Sequence, residues 1–154
     1  MCWTSRIDRL INPDLNEGLP AFLSANPGKS SGFMVVHVTA VALLNESRAL
    51  AHPAGSDSVP TSGGKEDHVS MGMTSALKFR RIVENAESVL AIELIAAAEA
   101  LDYRLPLRSS KPIERARELI RTMVPRLTED RSLSRDIEKL ALAIQRGQFD
   151  EFTL

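Results

Sequence analysis

A chain of 154 residues is long enough for one domain that buries roughly two-thirds of its unfolded surface. Its 19 basic and 20 acidic residues leave a formal net charge of −1, so no global field draws it to nucleic acid or to a membrane surface. The single cysteine, Cys2, excludes an internal disulfide and suits a reducing compartment, which makes cytoplasm the plain expectation.

Aromatic residues make up only 5% of the chain, and the abundant alanine lets helices approach closely, which points to a helix-on-helix core. The first ten residues carry Arg6, Asp8 and Arg9 with no continuous apolar run behind them, so no targeting segment is expected. Phe33 to Leu44 is the longest apolar run, and it contains His37 and Thr39. It falls well short of the ~20 residues a membrane helix needs.

Residues 1–11 read as a helix end, with Ile7, Leu10 and Ile11 at i, i+3 and i+4. Met1-Cys2-Trp3-Thr4 does not resemble a natural helix entry. Asn12-Pro13-Asp14 then stops the helix, since the residue before a proline is pushed out of the α region. Residues 14–30 hold Gly18, Pro20, Pro27 and Gly28 and read as a loop with room for one helical turn. Within it, Pro27-Gly28-Lys29-Ser30 looks superficially like a phosphate loop. That motif needs an earlier glycine and a preceding strand, and Leu23 stands where the glycine would be.

Residues 31–51 are apolar almost all round, and some twenty residues without a turn signal favour a helix about 30 Å long over a strand. A helix of that character needs neighbours on every side. One chain of this size hardly supplies them, so other chains are expected to. A polar, breaker-rich loop occupies 52–72. The stretch 69–103 then has apolar residues three and four apart, among them Phe79, Val83, Ala86, Leu90 and Leu94. It contains no proline and, after Gly72, no glycine, so a helix of roughly 45 Å is expected. Two shorter amphipathic helices follow at 110–124 and 134–146, the first opened by Ser110 and Pro112 and the second closed by Gly147. Their Glu, Arg and Lys residues read as solvated faces, with pairs worth tenths of a kcal/mol. The expected fold class is all-α, a long-helix bundle in one helical segment over 1–154.

Chemistry, if present, belongs to the 52–72 loop, where Lys65, Glu66, Asp67 and His68 set acid, base and imidazole side by side. Read from the residues alone, Glu66 and Asp67 serve better as carboxylates that, with the Ser70 hydroxyl nearby, cap the start of the next helix, where the dipole favours negative charge. A metal site built from His68, His37 and His52 is disfavoured, because adjacent side chains point in different directions and no i,i+4 histidine pair exists. His37, set in an apolar helix, reads as a satisfied core histidine.

The sequence becomes recognisable in the same loop. Leu50-Ala51-His52-Pro53-Ala54, Asp57-Ser58, Pro60-Thr61-Ser62 and Lys65-Glu66-Asp67-His68-Val69-Ser70-Met71-Gly72, preceded by Gly18-Leu19-Pro20-Ala21-Phe22-Leu23 and Ser31-Gly32-Phe33-Met34, closely resemble the C-terminal part of histidine ammonia-lyases and the wider aromatic amino acid lyase family. The resemblance covers about residues 5–147. It implies the family's helical bundle and elimination of ammonia from an aromatic amino acid, L-histidine giving urocanate. It also places at Glu66 the active-site glutamate, a catalytic and substrate-binding residue, where phenylalanine-specific relatives tend to carry an amide. A carboxylate suits that role because it holds an imidazole N–H by a charge-assisted hydrogen bond and can accept a proton. Asp67 keeps its reading as a helix cap, and Lys65 departs from the family's frequent glutamine.

Enzymes of this family use a methylidene-imidazolone electrophile made from an internal Ala-Ser-Gly. This chain has no Ala-Ser-Gly, and its nearest match is Ser30-Ser31-Gly32. No cofactor and no metal is therefore expected on this chain, which reads as a C-terminal fragment or truncated homologue, inactive alone. The partners implied are an aromatic amino acid, the other subunits of a homotetramer, or an N-terminal lyase half, with no nucleic acid and no membrane. Two alternatives stay open: phenylalanine or tyrosine as substrate, and a non-catalytic helical oligomerisation module.

Overall fold

The computed structural model describes residues 3–56 and 58–152. Readings that rest on Met1, Cys2 and Asp57 fall outside them. Five helices follow in chain order: α1 (Trp3–Ile11), α2 (Met34–Leu50), α3 (Gly72–Tyr103), α4 (Lys111–Met123) and α5 (Ser134–Gln145). Single 3-10 turns stand at Ala21–Leu23, Ser62–Gly64 and Asp150–Phe152. Among the described residues the only β pairing is two isolated bridges, Pro27 with Ser30 and Thr61 with Glu66, so the fold is all-α as expected.

The core forms where α1, α2, α4 and α5 gather round the second half of α3. Ile7 and Ile11 of α1, Ile92 and Ile95 of α3, Val124 and Leu140 are all buried there. Arg6 on α1 donates to Glu93 on α3 at 2.7 Å. The loop before α2 is held by a tight reversal: Phe22 and Leu23 have φ of 55° and 49°, and the Phe33 amide donates to the Phe22 carbonyl at 2.8 Å. Gly32, at φ +54°, must be glycine there, since a Cβ would lie 2.5 Å from that same carbonyl. Asp130, far along the chain, accepts the amides of Ser31 at 2.7 Å and Gly32 at 3.0 Å. Its carboxylate satisfies the amides of the two residues that lead into Phe33, the N-cap of α2.

α2 and α3 run antiparallel, joined by the 51–71 loop. Asn85, buried in their seam, donates to the Leu43 carbonyl, Glu46 and Ser47 at 3.4, 2.6 and 3.2 Å. The outer face of α2 stays uncovered, with Val35 63% and Val38 61% exposed. The first half of α3 is bare on most sides, with Met73, Leu77 and Phe79 all exposed. The same helix is therefore core at one end and surface at the other.

Two expectations change. α3 opens at Gly72, not Val69, because Val69 is held by the loop in bonds described below. The charged face of α4 is not solvated throughout. Arg117 and Arg121 turn inward onto Glu99, 1% exposed, and the buried Asp102 of α3. Arg117 meets Asp102 at 2.6 Å, while Arg121 bridges Asp102 at 2.7 Å and Glu99 at 2.8 Å. Arg126 and the Leu127 amide complete the shell round Glu99 at 3.1 and 3.3 Å. The cause is register: Arg117 and Arg121, one turn apart on α4, face Glu99 and Asp102, one turn apart on α3. α4 and α5 otherwise lie within a residue or two of the expected spans, and Gly147, at φ +71°, ends the last turn.

Candidate functional site

The loop between α2 and α3 is a small antiparallel hairpin. Ser58 and Val69 pair at its base, where the Ser58 hydroxyl accepts the Val69 amide at 2.8 Å and donates to the Val69 carbonyl at 3.0 Å. Three residues inward on each arm, Thr61 and Glu66 pair through the backbone: the Thr61 amide donates to the Glu66 carbonyl at 2.8 Å, and the Glu66 amide returns to the Thr61 carbonyl at 3.4 Å. The tip between them is Ser62-Gly63-Gly64-Lys65. Ser62, Gly63 and Gly64 take successive positive φ of 55°, 65° and 83°, a left-handed run that two glycines make accessible.

Glu66 sits where this turn returns to the arm. Its Oε2 accepts the Thr61 hydroxyl at 2.8 Å, which leaves Oε1 with no protein partner among the described residues. The carboxylate is exposed, and so are all its neighbours from Val59 to His68. A single fixed oxygen and a single free one, on a turn closed at two levels, can accept one N–H from a bound molecule or take up one proton.

The other residues singled out in this loop do not join Glu66. The side chains of Lys65, Asp67 and His68 are exposed and make no hydrogen bond or ion pair among the described residues. Asp67 does not cap α3: the helix begins five residues later, and its N-cap residue, Met71, makes no side-chain capping bond. Ser70 alone reaches the helix start, accepting the Gly72 amide at 3.3 Å. His52 closes α2, and its carbonyl accepts the Lys78 ammonium from α3. His37 is half-buried beside Asp8, Phe22 and Met34 in a hollow of about 250 Å³. Its ring has no hydrogen-bond partner among the described residues, contrary to the satisfied core histidine expected. Among the described residues no three His, Cys, Asp or Glu side chains gather as a metal set.

Thr61 and Ser58 are the residues that sequence reasoning missed. The available signal was symmetry about Gly63-Gly64: Thr61 and Glu66 flank the four-residue tip, and Ser58 and Val69 lie three residues further out on each side.

Comparison with known proteins bears on the whole chain. The family model for aromatic amino acid lyase matches residues 1–122. Histidine ammonia-lyase of Koribacter versatilis (strain Ellin345) is 51% identical over 143 residues, which is 93% of this chain and 28% of that protein. The crystal structure of histidine ammonia-lyase from Trypanosoma cruzi superposes with a TM-score of 0.91 at 43% identity, over 97% of this chain and 29% of that one. Tyrosine aminomutase from Streptomyces globisporus superposes at 0.90 with 39% identity, over the same shares. This chain thus spans a little over a quarter of the length of the relatives it matches. With the family model covering most of its residues and the all-α bundle superposing on solved members, the chain belongs to the aromatic amino acid lyase family.

Proposed function

We propose that this chain is the glutamate-bearing, C-terminal part of a histidine ammonia-lyase, which eliminates ammonia from L-histidine to give urocanate. The observation that carries the reading is Glu66, with one carboxylate oxygen held by Thr61 and the other free. It lies in a chain 51% identical to a histidine ammonia-lyase over 93% of its length. Oε1 accepts the imidazole N–H of the substrate and so fixes the ring, a charge-assisted bond that a neutral amide makes less well. The same atom can take up a proton as ammonia is lost, a contribution typically of 10² to 10⁴ in rate.

The family's methylidene-imidazolone does not fit the residues present. No Ala-Ser-Gly occurs in these 154 residues. Two tripeptides keep its Ser-Gly: Ser30-Ser31-Gly32, whose Ser31 and Gly32 amides are committed to Asp130 at the opening of α2, and Thr61-Ser62-Gly63 at the hairpin tip, whose Thr61 pairs with Glu66; neither has the alanine. The electrophile, and the enclosure that an exposed Glu66 lacks, come in this reading from polypeptide outside these residues. That polypeptide is other subunits of a homotetramer or an N-terminal lyase portion. A cytoplasmic setting belongs to the same reading. Among the described residues no helix is long and apolar enough to cross a membrane.

The test is urocanate formation from L-histidine, followed by ultraviolet absorbance, with this chain alone and then combined with an N-terminal lyase portion bearing Ala-Ser-Gly. We expect turnover only in the combination, falling by about 100-fold or more in Glu66→Gln. Full activity of Glu66→Gln overturns the role of Glu66. Turnover of tyrosine or phenylalanine in place of histidine selects the second reading, which the likeness to a tyrosine aminomutase supports. A third reading, a non-catalytic oligomerisation module, rests on the uncovered apolar faces of α2 and α3. It is selected by a mixture that associates, is folded, and turns over nothing.

A further inference from the structure

We infer that Thr61 is the positioning residue for Glu66, an assignment that rests on the reading of Glu66 given above. Three features of the hairpin carry it. The Thr61 hydroxyl donates to Glu66 Oε2 at 2.8 Å. The same two residues are locked across the turn by backbone bonds at 2.8 and 3.4 Å, so donor and acceptor are brought together by the fold and not by a chance rotamer. The Gly64 amide donates to the Thr61 carbonyl at 3.1 Å, which ties the tip itself to the donor residue.

A glutamate side chain on an exposed loop has three rotatable bonds and, unrestrained, spreads over many rotamers. Among the described residues, Thr61 is the only group that restrains this one. Its hydroxyl has one proton, and that proton is spent on Oε2. Oε1 is thereby both immobilised and left open, which is what recognition of a single N–H requires. A misplacement of 1 Å in such a group can cost about 100-fold in rate, whereas an ordinary exposed hydrogen bond adds little to folding stability. The role of Thr61 is therefore to be read in function and side-chain order, not in unfolding.

The decisive pair of variants is Thr61→Val and Thr61→Ser. Valine keeps the β-branch and both backbone bonds and removes only the hydroxyl; serine keeps the hydroxyl and removes only the methyl. In this chain alone, side-chain couplings and order parameters of 13C-labelled Glu66 are expected to show one rotamer in the wild type and in Thr61→Ser. In Thr61→Val they are expected to average, with the Ser58–Val69 amide shifts unchanged. In the urocanate assay with the N-terminal lyase portion, Thr61→Val is expected to lower kcat/KM about tenfold, and Thr61→Ser to restore it. A single Glu66 rotamer in Thr61→Val, or full kcat/KM in Thr61→Val where Glu66→Gln is inactive, overturns the inference and leaves the role of Glu66 intact. Full activity of Glu66→Gln overturns that role instead. If no combination turns over, the rotamer measurement decides by itself whether Thr61 holds Glu66.

Discussion

Asp130 holds the opening of α2 from 99 residues away in sequence. The Ser31 and then the Gly32 amide, both donating to its carboxylate, keep its pKa below the ordinary aspartate value. Glu114 is lowered in the same direction, first by the Ser109 amide, and Glu46 first by the Asn85 side chain. A carboxylate whose pKa is lower folded than unfolded binds protons more tightly in the unfolded chain. Its contribution is therefore complete above about pH 4 to 5 and is lost as pH falls through the depressed folded value. Urea midpoints measured from pH 7 down to pH 2 should fall on the acid side, and Asp130→Asn should flatten that fall while lowering the plateau at pH 7. An unchanged acid limb in Asp130→Asn would show that the two amides do not hold the carboxylate. None of this was readable beforehand, because nothing local to Thr128-Glu129-Asp130-Arg131 distinguishes an aspartate that reaches α2 from one in solvent. Glu66 stands out through the motif around it. Its partner Thr61 does not, because the pairing depends on a turn whose register only the folded hairpin fixes.

Between elements, the decisive contact is α3 with α4. Glu99 is buried with two arginines and a backbone amide on its two oxygens, and removing one partner of such a cluster strands charge in a poor solvent. Glu99→Ala should cost about 3 kcal/mol in a urea titration. Arg80→Ala, which breaks the exposed pair with Glu84, should cost at most about 0.5 kcal/mol. Equal effects would mean that burial does not distinguish the two. The helices themselves were legible to within a few residues because their apolar spacing and their Pro and Gly stops are local. The partners of their charges were not, because each helix's polar face was judged in isolation. The clue lay on the other helix: Glu99 and Asp102 interrupt the alanine-rich row of α3 and need cations facing them. The sequence pattern starts α3 three residues early, since nothing in Val69-Ser70-Met71 stops a helix and it is the Ser58 hydroxyl that holds Val69 out of it.

At the scale of the molecule, the uncovered faces of α2 and α3 set the behaviour in water. Val35, Val38, Met73, Leu77 and Phe79 are large apolar side chains left exposed on these two helices, and surface of that kind favours association. Sedimentation velocity on this chain should show concentration-dependent association. Val38→Asp with Phe79→Asp should shift it to monomer with the helical circular dichroism retained. A wild-type chain that stays monomeric at high concentration would show that these faces need no cover. The sequence pattern of 31–51 leads to an expectation of neighbours beyond this chain, because apolar residues fall on every face of the helix it forms. How unevenly the cover runs along α3 was not implied, since the spacing of its apolar residues is the same in the half that is core and the half that is bare.

α3 is in effect a cantilever. Its far end is clamped by the ion cluster at Glu99 and Asp102, and its free end carries the hairpin that bears Glu66. α2 ties one side of that half, through the Arg81–Glu46 pair and the Lys78 ammonium on the His52 carbonyl, so Thr61 fixes Glu66 within the hairpin while the other sides of the helix beneath it stay bare. Lateral support has to arrive from whatever surface meets the bare half of the helix. In the proposed assembly, a subunit that covers Leu77 and Phe79 would brace the hairpin that carries Glu66 as well as bury the beam.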